Sequence, residues 1–181
     1  MLSVVVNDKY DLCNLPQEYD LFIIFENNFN EIVHLPARTK ELKLSSCYDK
    51  KLVFPKGMTH LRLGTSYNHK LELPDTLLCL KIGSGYRHKL DNLPPGLTHL
   101  ELPDRWTFSL INLPNSLTHL EFGSNCSVAL ENLPHNIEYL NLNKYFSGKI
   151  SNLPSSLKLI EYKGYLELKK IPFGCKLTRL N

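Results

Sequence analysis

The 181-residue sequence lacks most of the signals that assign a protein to a narrow functional class. It has no run of about 18 apolar residues of the kind that spans a membrane, and its first residues lack the positive region and the apolar stretch of a signal peptide. Its 21 Lys and Arg nearly balance its 18 Asp and Glu, which gives no argument for nucleic-acid binding. We therefore expect a soluble cytoplasmic protein that binds neither membrane nor nucleic acid.

The sequence also lacks the motifs of common enzymes and metal sites. It contains no HExxH, no nucleophile elbow, no phosphate-binding glycine loop and no dinucleotide fingerprint. Its 5 cysteines are widely spaced and form no CxxC pair, which is typical of free thiols in a reducing compartment. We expect a protein that is not an enzyme and that has no cofactor.

What the sequence does contain is a repeat of about twenty residues. A large apolar residue followed by proline recurs along the chain, and successive prolines are separated by 20, 19, 19, 20, 20, 20, 20 and 18 residues. These prolines are Pro16, Pro36, Pro55, Pro74, Pro94, Pro114, Pro134, Pro154 and Pro172. Repeats of this kind build solenoids, in which each coil buries its apolar side chains only against its neighbours.

When the repeats are aligned on their prolines, apolar residues fall mostly three, six, eight, sixteen and nineteen positions after the proline. The residues at positions six and eight alternate with polar neighbours, as in Leu120-Glu121-Phe122, which indicates a short half-buried strand. No segment between strands has the length and periodicity of an ordinary α-helix. We predict a mainly β, single-domain solenoid of about ten stacked coils, with one parallel sheet on its concave face and an irregular convex side with little helix.

The framework LPxxLxxLxL resembles the leucine-rich repeat, here in a short twenty-residue form. The segments Tyr67-Asn68-His69-Lys70-Leu71 and Tyr86-Arg87-His88-Lys89-Leu90, and the frame NLPxSLTHLxFG at 112–123, are similar to FNIP repeats of amoebal and giant-virus proteins. The resemblance implies a leucine-rich-repeat-like scaffold without catalytic residues, located in the host cytosol if the protein is viral. FNIP repeats often follow an F-box, and any such adaptor role here implies a separate subunit that supplies the ligase machinery.

The repeat register extends to both ends of the chain. It divides residues 1–181 into an incomplete N-terminal coil (1–15), eight repeats (16–171) and an incomplete C-terminal coil (172–181). Counting back from Pro16 places Leu2 and Val4 on the core side of the first strand. Since Leu177 and Leu180 lie twenty residues after Leu157 and Ile160, we expect them to occupy the equivalent places in the last coil.

Side chains five, seven and nine positions after each proline should point outward, on the face that solenoids use for binding. Position seven is basic in the first half of the chain and acidic in the second, which favours an extended protein partner whose acidic end lies on the basic half. The alternative is that these positions are charged only because they are exposed. The predicted partner-binding residues are Lys43, Arg62, Lys81, Glu101, Glu121 and Glu161 at position seven, and His60, His99, His119 and Tyr139 at position five.

Three further columns of equivalent residues have structural interpretations. The row formed by His60, Cys79, His99 and His119 is flat, whereas zinc needs tetrahedral ligands, so we predict a stacked polar row without metal. The asparagines two before the proline should hydrogen-bond the backbone of the next coil, and the aromatic residues should pack on the convex side. These columns are Asn14, Asn92, Asn112, Asn132 and Asn152, and Tyr48, Tyr67, Tyr86, Trp106 and Phe146.

The strand near residues 21–25 departs from the pattern because every residue in it is apolar. If Phe22 and Ile24 point to the core, then Leu21, Ile23 and Phe25 point outward, joined by Val5, and need a cover. The chain also stops inside a repeat strand, which leaves an open edge. Two functions follow: a scaffold that binds a protein partner on its parallel sheet, or a structural protein that forms homo-oligomers through its end strands.

Overall fold

In the computed structural model, residues 1–26, 28–166, 168 and 170–181 are described, and they form a mainly β solenoid. The chain divides into two compact units, Met1–His88 and Lys89–Asn181. In the first unit, five strands pair in parallel in chain order, β1 (Leu2–Val6), β2 (Leu21–Phe25), β3 (Thr39–Lys43), β4 (His60–Arg62) and β5 (Cys79–Lys81). A short 3-10 helix, Lys9–Leu12, follows β1.

The second unit also contains five parallel strands that pair in chain order. They are β6 (His99–Leu102), β7 (His119–Phe122), β8 (Tyr139–Leu142), β9 (Leu159–Tyr162) and β10 (Lys176–Arg179). The predicted parallel pairing of successive coils and the low helix content are confirmed within each unit. No helix among the described residues has the length and the apolar character needed to cross a lipid bilayer.

The repeat prolines from Pro36 to Pro172 each begin a tight turn that leads the chain into its strand. The carbonyl oxygen of Pro114 accepts a hydrogen bond from the Leu117 amide at 3.0 Å, and the same bond joins Pro74 to Leu77 at 3.0 Å and Pro134 to Ile137 at 3.2 Å. This bond between residues three apart is the closing bond of a β-turn. The third residue after the proline therefore points inward, and this explains why it is apolar in nearly every repeat.

The core of each unit consists of like residues from successive coils. In the second unit, Leu100, Leu120, Leu140 and Ile160 pair in register and are at most 2% exposed. Equivalent columns in the first unit contain Leu42, Leu61 and Leu80, which are each 2% exposed. Because a single coil cannot bury these side chains by itself, the stacking of neighbours supplies the hydrophobic stabilisation of the fold.

The prediction for β2 was wrong. Leu21, Ile23 and Phe25 are 1%, 0% and 2% exposed and belong to the core, whereas Phe22 and Ile24 lie half-buried on the opposite face. The structure pairs Ile23 with core residue Leu42, with a register shift between Leu21 and Phe22. The coil therefore has one more residue between Pro16 and its strand than the other repeats have, and this reverses the direction of every side chain in the strand.

The predicted register of the last coil was also wrong. Leu177 pairs with Ile160, 17 residues earlier, instead of occupying the place of Leu157. The coil follows its own proline, because the Cys175 amide donates to the carbonyl oxygen of Pro172 at 3.1 Å in the manner of the other repeats. At the N-terminus, the expected core side of β1 is confirmed by the pairing of Leu2 with Leu21 and of Val4 with Ile23.

Most of the aromatic column packs in the interior, while its expected place on the convex side stays a prediction. Tyr48, Tyr67, Tyr86 and Trp106 are at most 2% exposed, and the rings of Tyr48 and Tyr67 stack with centroids 6.5 Å apart and planes 7° apart. Burial raises the pKa of Tyr48, and burial is also the main cause that raises the pKa of Tyr67 to about 12. These phenols are part of the coil-to-coil packing and must stay neutral in the folded state.

This packing predicts a loss of stability at alkaline pH. The pKa of Tyr67 rises from 10.0 to about 12 on folding. The contribution of this residue to the free energy of unfolding is therefore complete below pH 10 and is lost as the pH rises towards 12. At pH 11 the loss from this residue is about 1 kcal/mol. Urea unfolding at pH 8 and pH 11 should show that the free energy of unfolding falls less between these two pH values for Tyr67→Phe than for the parent protein. Equal losses in the two proteins would contradict this assignment.

Candidate interaction surface

We use the term sheet face for the surface formed by the outward side chains of the strands. In the first unit, Lys43, Arg62 and Lys81 lie directly beside one another on β3, β4 and β5. Lys43 and Arg62 are exposed and Lys81 is half-buried. His60 lies in the neighbouring row, between Glu41 and Cys79. The basic half of the predicted site is therefore one continuous row of cations in this unit.

The sheet face of the second unit has the opposite charge. Glu101 pairs with Glu121, and Asn141 separates Glu121 from Glu161 on the next strands. His99, His119 and Tyr139 occupy the adjacent row in register. All the predicted partner-binding residues thus lie on strands, in the predicted outward rows of their own unit. Whether they bind a partner stays a prediction.

Hydrogen bonds hold several of these side chains in fixed positions. The hydroxyl of Tyr139 donates to Glu161 Oε2 at 2.7 Å and accepts from Asn141 Nδ2 at 3.3 Å. Burial, together with the hydrogen bond to Glu161, raises the pKa of Tyr139 to about 12. The imidazole rings of His99 and His119 stack with centroids 4.1 Å apart and planes 14° apart. Such a prearranged polar surface loses little side-chain entropy when a partner binds.

Three threonines orient the histidines, a role that sequence analysis missed. The hydroxyl of each threonine lies 2.9 Å from Nδ1 of the next residue, in Thr59-His60, Thr98-His99 and Thr118-His119. Thr59 and Thr118 also donate to carbonyl oxygens of the preceding coil, Lys40 at 3.2 Å and Thr98 at 3.1 Å. Because each of these two hydroxyls has a single proton and donates it to a carbonyl oxygen, it can only accept a hydrogen bond from Nδ1 of the next histidine. The recurring Thr-His dipeptide is the feature of the sequence that could have indicated this arrangement.

That the row of histidines and Cys79 binds no metal stays a prediction. Among the described residues, no group of three or more His, Cys, Asp or Glu side chains is arranged to hold a metal ion. The five cysteines are all free, and Cys126 is buried while Cys13 is exposed. Burial, as the largest cause, raises the pKa of the Cys126 thiol, which makes it a poor nucleophile at neutral pH.

Backbone groups between neighbouring coils are joined by a ladder of side-chain oxygens, which we call the Asn/Asp ladder. Asn30 Oδ1 accepts from the Asp49 amide at 3.0 Å, Asp49 Oδ1 from Asn68 at 3.1 Å, and Asn68 Oδ1 from Arg87 at 2.9 Å. The asparagine after the aromatic residue thus links coils. Among the asparagines before the prolines, Asn14, Asn112 and Asn152 have φ values of 59°, 63° and 55°, a left-handed conformation that asparagine tolerates. Their expected hydrogen bonds to the next coil stay a prediction.

The ladder can be tested at its centre. Replacing Asn68 with alanine removes the acceptor of the Arg87 amide and should lower the free energy of unfolding by about 1 kcal/mol. Asn68→Asp keeps an acceptor oxygen in the same place, as Asp49 does one coil earlier, and should retain most of the stability. Urea unfolding of both variants measures the difference. Equal stabilities of the alanine and aspartate variants would show that the ladder contributes nothing.

Comparison with known proteins agrees with this architecture. The model of the FNIP repeat matches residues 86–125. No curated protein matches the chain. A search of solved structures finds the crystal structure of CroV588, a giant-virus protein described as a novel circular LRR protein, with 27% sequence identity and a TM-score of 0.71. The match covers 96% of this chain but 32% of that one, so this chain spans about a third of the length of CroV588. Residues 86–125 therefore match the FNIP repeat, and the chain has the fold of a leucine-rich-repeat-like solenoid.

Proposed function

We propose that this protein is a non-catalytic scaffold that binds a partner protein on the sheet faces of its two units. The observation that carries the proposal is the regular placement of charged and polar side chains in register on rigid parallel strands, basic in residues 1–88 and acidic in residues 89–181. Repeat solenoids commonly use such extended surfaces for binding. The fold similarity supports the scaffold role, while the identity of the partner belongs to the proposal.

The cytosol is the compartment that best suits this role. All five cysteines are free thiols, and Cys13 is exposed, where an oxidising environment would favour unwanted disulfides. The host-cell cytosol is the corresponding place if the protein is viral, as CroV588 is.

Photo-crosslinking in cells that naturally produce the protein tests the scaffold function. The photoreactive residue p-benzoylphenylalanine is placed at Arg62 or Glu121 on the sheet faces, and at Lys70 or Asn132 outside the strands as matched controls. We expect a discrete protein adduct from at least one sheet-face position and none from the controls. Adducts only at the control positions, or no protein adduct from either sheet face, would contradict the proposal.

Self-assembly is a second candidate, favoured by the comparison with CroV588. CroV588 is described as circular, and the match covers 32% of its length. Three copies of this chain would therefore have about the length of one CroV588 chain. In the described part of the chain, β1 pairs only with β2 and β10 only with β9, and each offers a strand edge to another copy. Leu21, Ile23 and Phe25 are buried and are not available for contacts between copies. The free edges of β1 and β10 would form these contacts instead.

Light scattering after size-exclusion chromatography tests self-assembly. Head-to-tail contacts between copies should raise the mass as the concentration rises from about 1 to 100 µM, towards three copies if the assembly closes. A constant mass of 20.8 kDa over this range would remove the second candidate.

A further inference from the structure

The sheet face of the first unit combines a basic row with an apolar end. Val5, Ile24, Lys43, Arg62 and Lys81 form one row across β1 to β5, because each pairs in register with the next. Val5 is 46% exposed although it is apolar. At about 4.8 Å per strand, the row is about 19 Å long. Two apolar side chains and three cations thus share a line long enough for a short peptide.

The neighbouring row extends the apolar end. It runs through Ser3, Phe22, Glu41, His60 and Cys79 in the same register. Phe22 lies half-buried between Ser3 and Glu41, on the same two strands as Val5 and Ile24. The only carboxylate in the two rows is that of Glu41, and it lies 3.9 Å from His60 Nδ1. The face therefore offers an apolar patch (Val5, Phe22, Ile24) beside a region that is positive overall.

The two most exposed cations of the row are available to a ligand. Within the part of the chain that the structure describes, neither Lys43 nor Arg62 forms an ion pair with a carboxylate, whereas Lys51 pairs with Glu72 at 3.8 Å and Lys149 with Glu131 at 3.6 Å. The planar guanidinium of Arg62 can bind a carboxylate through two parallel hydrogen bonds. Cations that the fold leaves unpaired on a binding face favour an anionic partner.

The apolar patch indicates which anion fits. Phosphates of a nucleic acid would use the cations but would gain nothing from Val5, Phe22 and Ile24, which need an apolar side chain to cover them. An extended peptide of about six residues spans about 19 Å and presents alternate side chains to one side. A peptide with several carboxylates followed by one apolar side chain therefore matches this row of side chains in both length and chemistry.

We infer that the sheet face of residues 1–88 binds an extended acidic segment of a partner protein, with an apolar side chain of that segment covering Val5, Phe22 and Ile24. The inference rests on the proposed scaffold function and specifies its partner at one face. The carboxylates lie on Lys43, Arg62 and Lys81, and the apolar side chain fixes the direction of the segment along the row.

Fluorescence anisotropy with labelled ten-residue peptides tests the inference on the full chain. In the first peptide, serines alternate with three glutamates and then with a leucine near the end. The second peptide is the same except that serine replaces the leucine. The third is the first peptide with lysines in place of the glutamates. We expect the first peptide to bind about fivefold more tightly than the second and the third not to bind. Equal affinity of the first two, or tighter binding of a single-stranded oligonucleotide of the same charge, would overturn the inference.

Variants of the protein locate the binding face. The double variant Lys43→Glu with Arg62→Glu should weaken the first peptide about tenfold at low salt, and Val5→Ser should remove most of the advantage of leucine over serine. The matched control, Lys56→Glu with Lys70→Glu, makes the same charge change at exposed residues outside the strands and should leave affinity unchanged. Thermal unfolding by circular dichroism shows that each variant is folded. Equal weakening by both double variants would overturn the inference.

Two other results separate this inference from the scaffold function. Protein adducts from Glu121 together with no peptide binding would overturn the acidic-segment inference while the scaffold function stands. Conversely, peptide binding without any sheet-face adduct in cells would contradict the scaffold function. A third result concerns the mass of the protein in light scattering. If this mass rises with concentration and the double variant Lys43→Glu with Arg62→Glu abolishes that rise, the face binds a second copy of the chain, and the inference is overturned.

Discussion

Replacing Ile23 with alanine is expected to lower the free energy of unfolding by about 3 kcal/mol, whereas the same change at Ile24 should cost about 1 kcal/mol. Ile23 is 0% exposed and pairs with core residues Val4 and Leu42 on its two sides. Ile24 lies half-buried on the sheet face, between Val5 and Lys43. The removed atoms are identical, so the difference between the variants measures only which side of the strand faces the core.

Urea unfolding followed by circular dichroism measures both variants under the same conditions. The comparison is sharp because a one-residue change of register would exchange the two results. A larger loss for Ile24→Ala than for Ile23→Ala would return Leu21, Ile23 and Phe25 to the surface and would contradict the assignment of β2.

The second large effect is expected at Gly83, where the backbones of successive coils approach each other closely. A Cβ atom at Gly83 would overlap the carbonyl oxygen of Gly64, and one at Gly64 would overlap that of Ser45 in the preceding coil. Since backbone atoms cannot move aside as a side chain can, Gly83→Ala must separate the coils locally. We expect a loss of about 3 kcal/mol or more.

Gly57→Ala is the matched control for this substitution. A Cβ atom there meets only Lys40 Nζ, at 3.2 Å, which is the end of a flexible side chain. We expect a change of at most about 0.5 kcal/mol. If the two alanine variants proved equally stable, the close stacking of coils at Gly64 and Gly83 would be wrong.

Much of the fold could be predicted from the sequence because the repeat makes each position visible several times. Leu120 alone could belong to many structures, but leucine or isoleucine at the same distance from seven of the nine prolines defines a stacked column. The same repetition identified the outward rows that contain Arg62 and Glu121. These predictions depend only on period and alternation, which the burial of one face imposes on every coil.

The errors arose where the pattern itself is ambiguous. In β2, residues Leu21–Phe25 are all apolar, so alternation cannot show which side faces inward, and only the pairing of Ile23 with Leu42 decides it. At the C-terminus, Leu177 fitted a spacing of twenty, but the turn at Pro172 set the register. In the last coil, local turn geometry took precedence over the average period.

The details of the candidate surface required coordinates. The bond of Thr118 to His119 Nδ1 and that of Tyr139 to Glu161 depend on the spacing of adjacent strands and on rotamers, which the sequence does not encode in a pattern. The Asn/Asp ladder is an intermediate case. The aromatic-Asn motif marked Asn68, but its bond to the Arg87 amide in the following coil became apparent only in the structure.

The central claim is that equivalent residues of successive coils lie side by side in parallel. Nuclear Overhauser spectra of the isotopically labelled protein test it directly, because backbone protons of neighbouring strands are close only at the true register. We expect contacts between the strands of Leu61 and Leu80 and between those of Leu120 and Leu140, offset by 19 and 20 residues respectively. Strong contacts between opposing α-protons, which are typical of antiparallel pairs, would contradict the account.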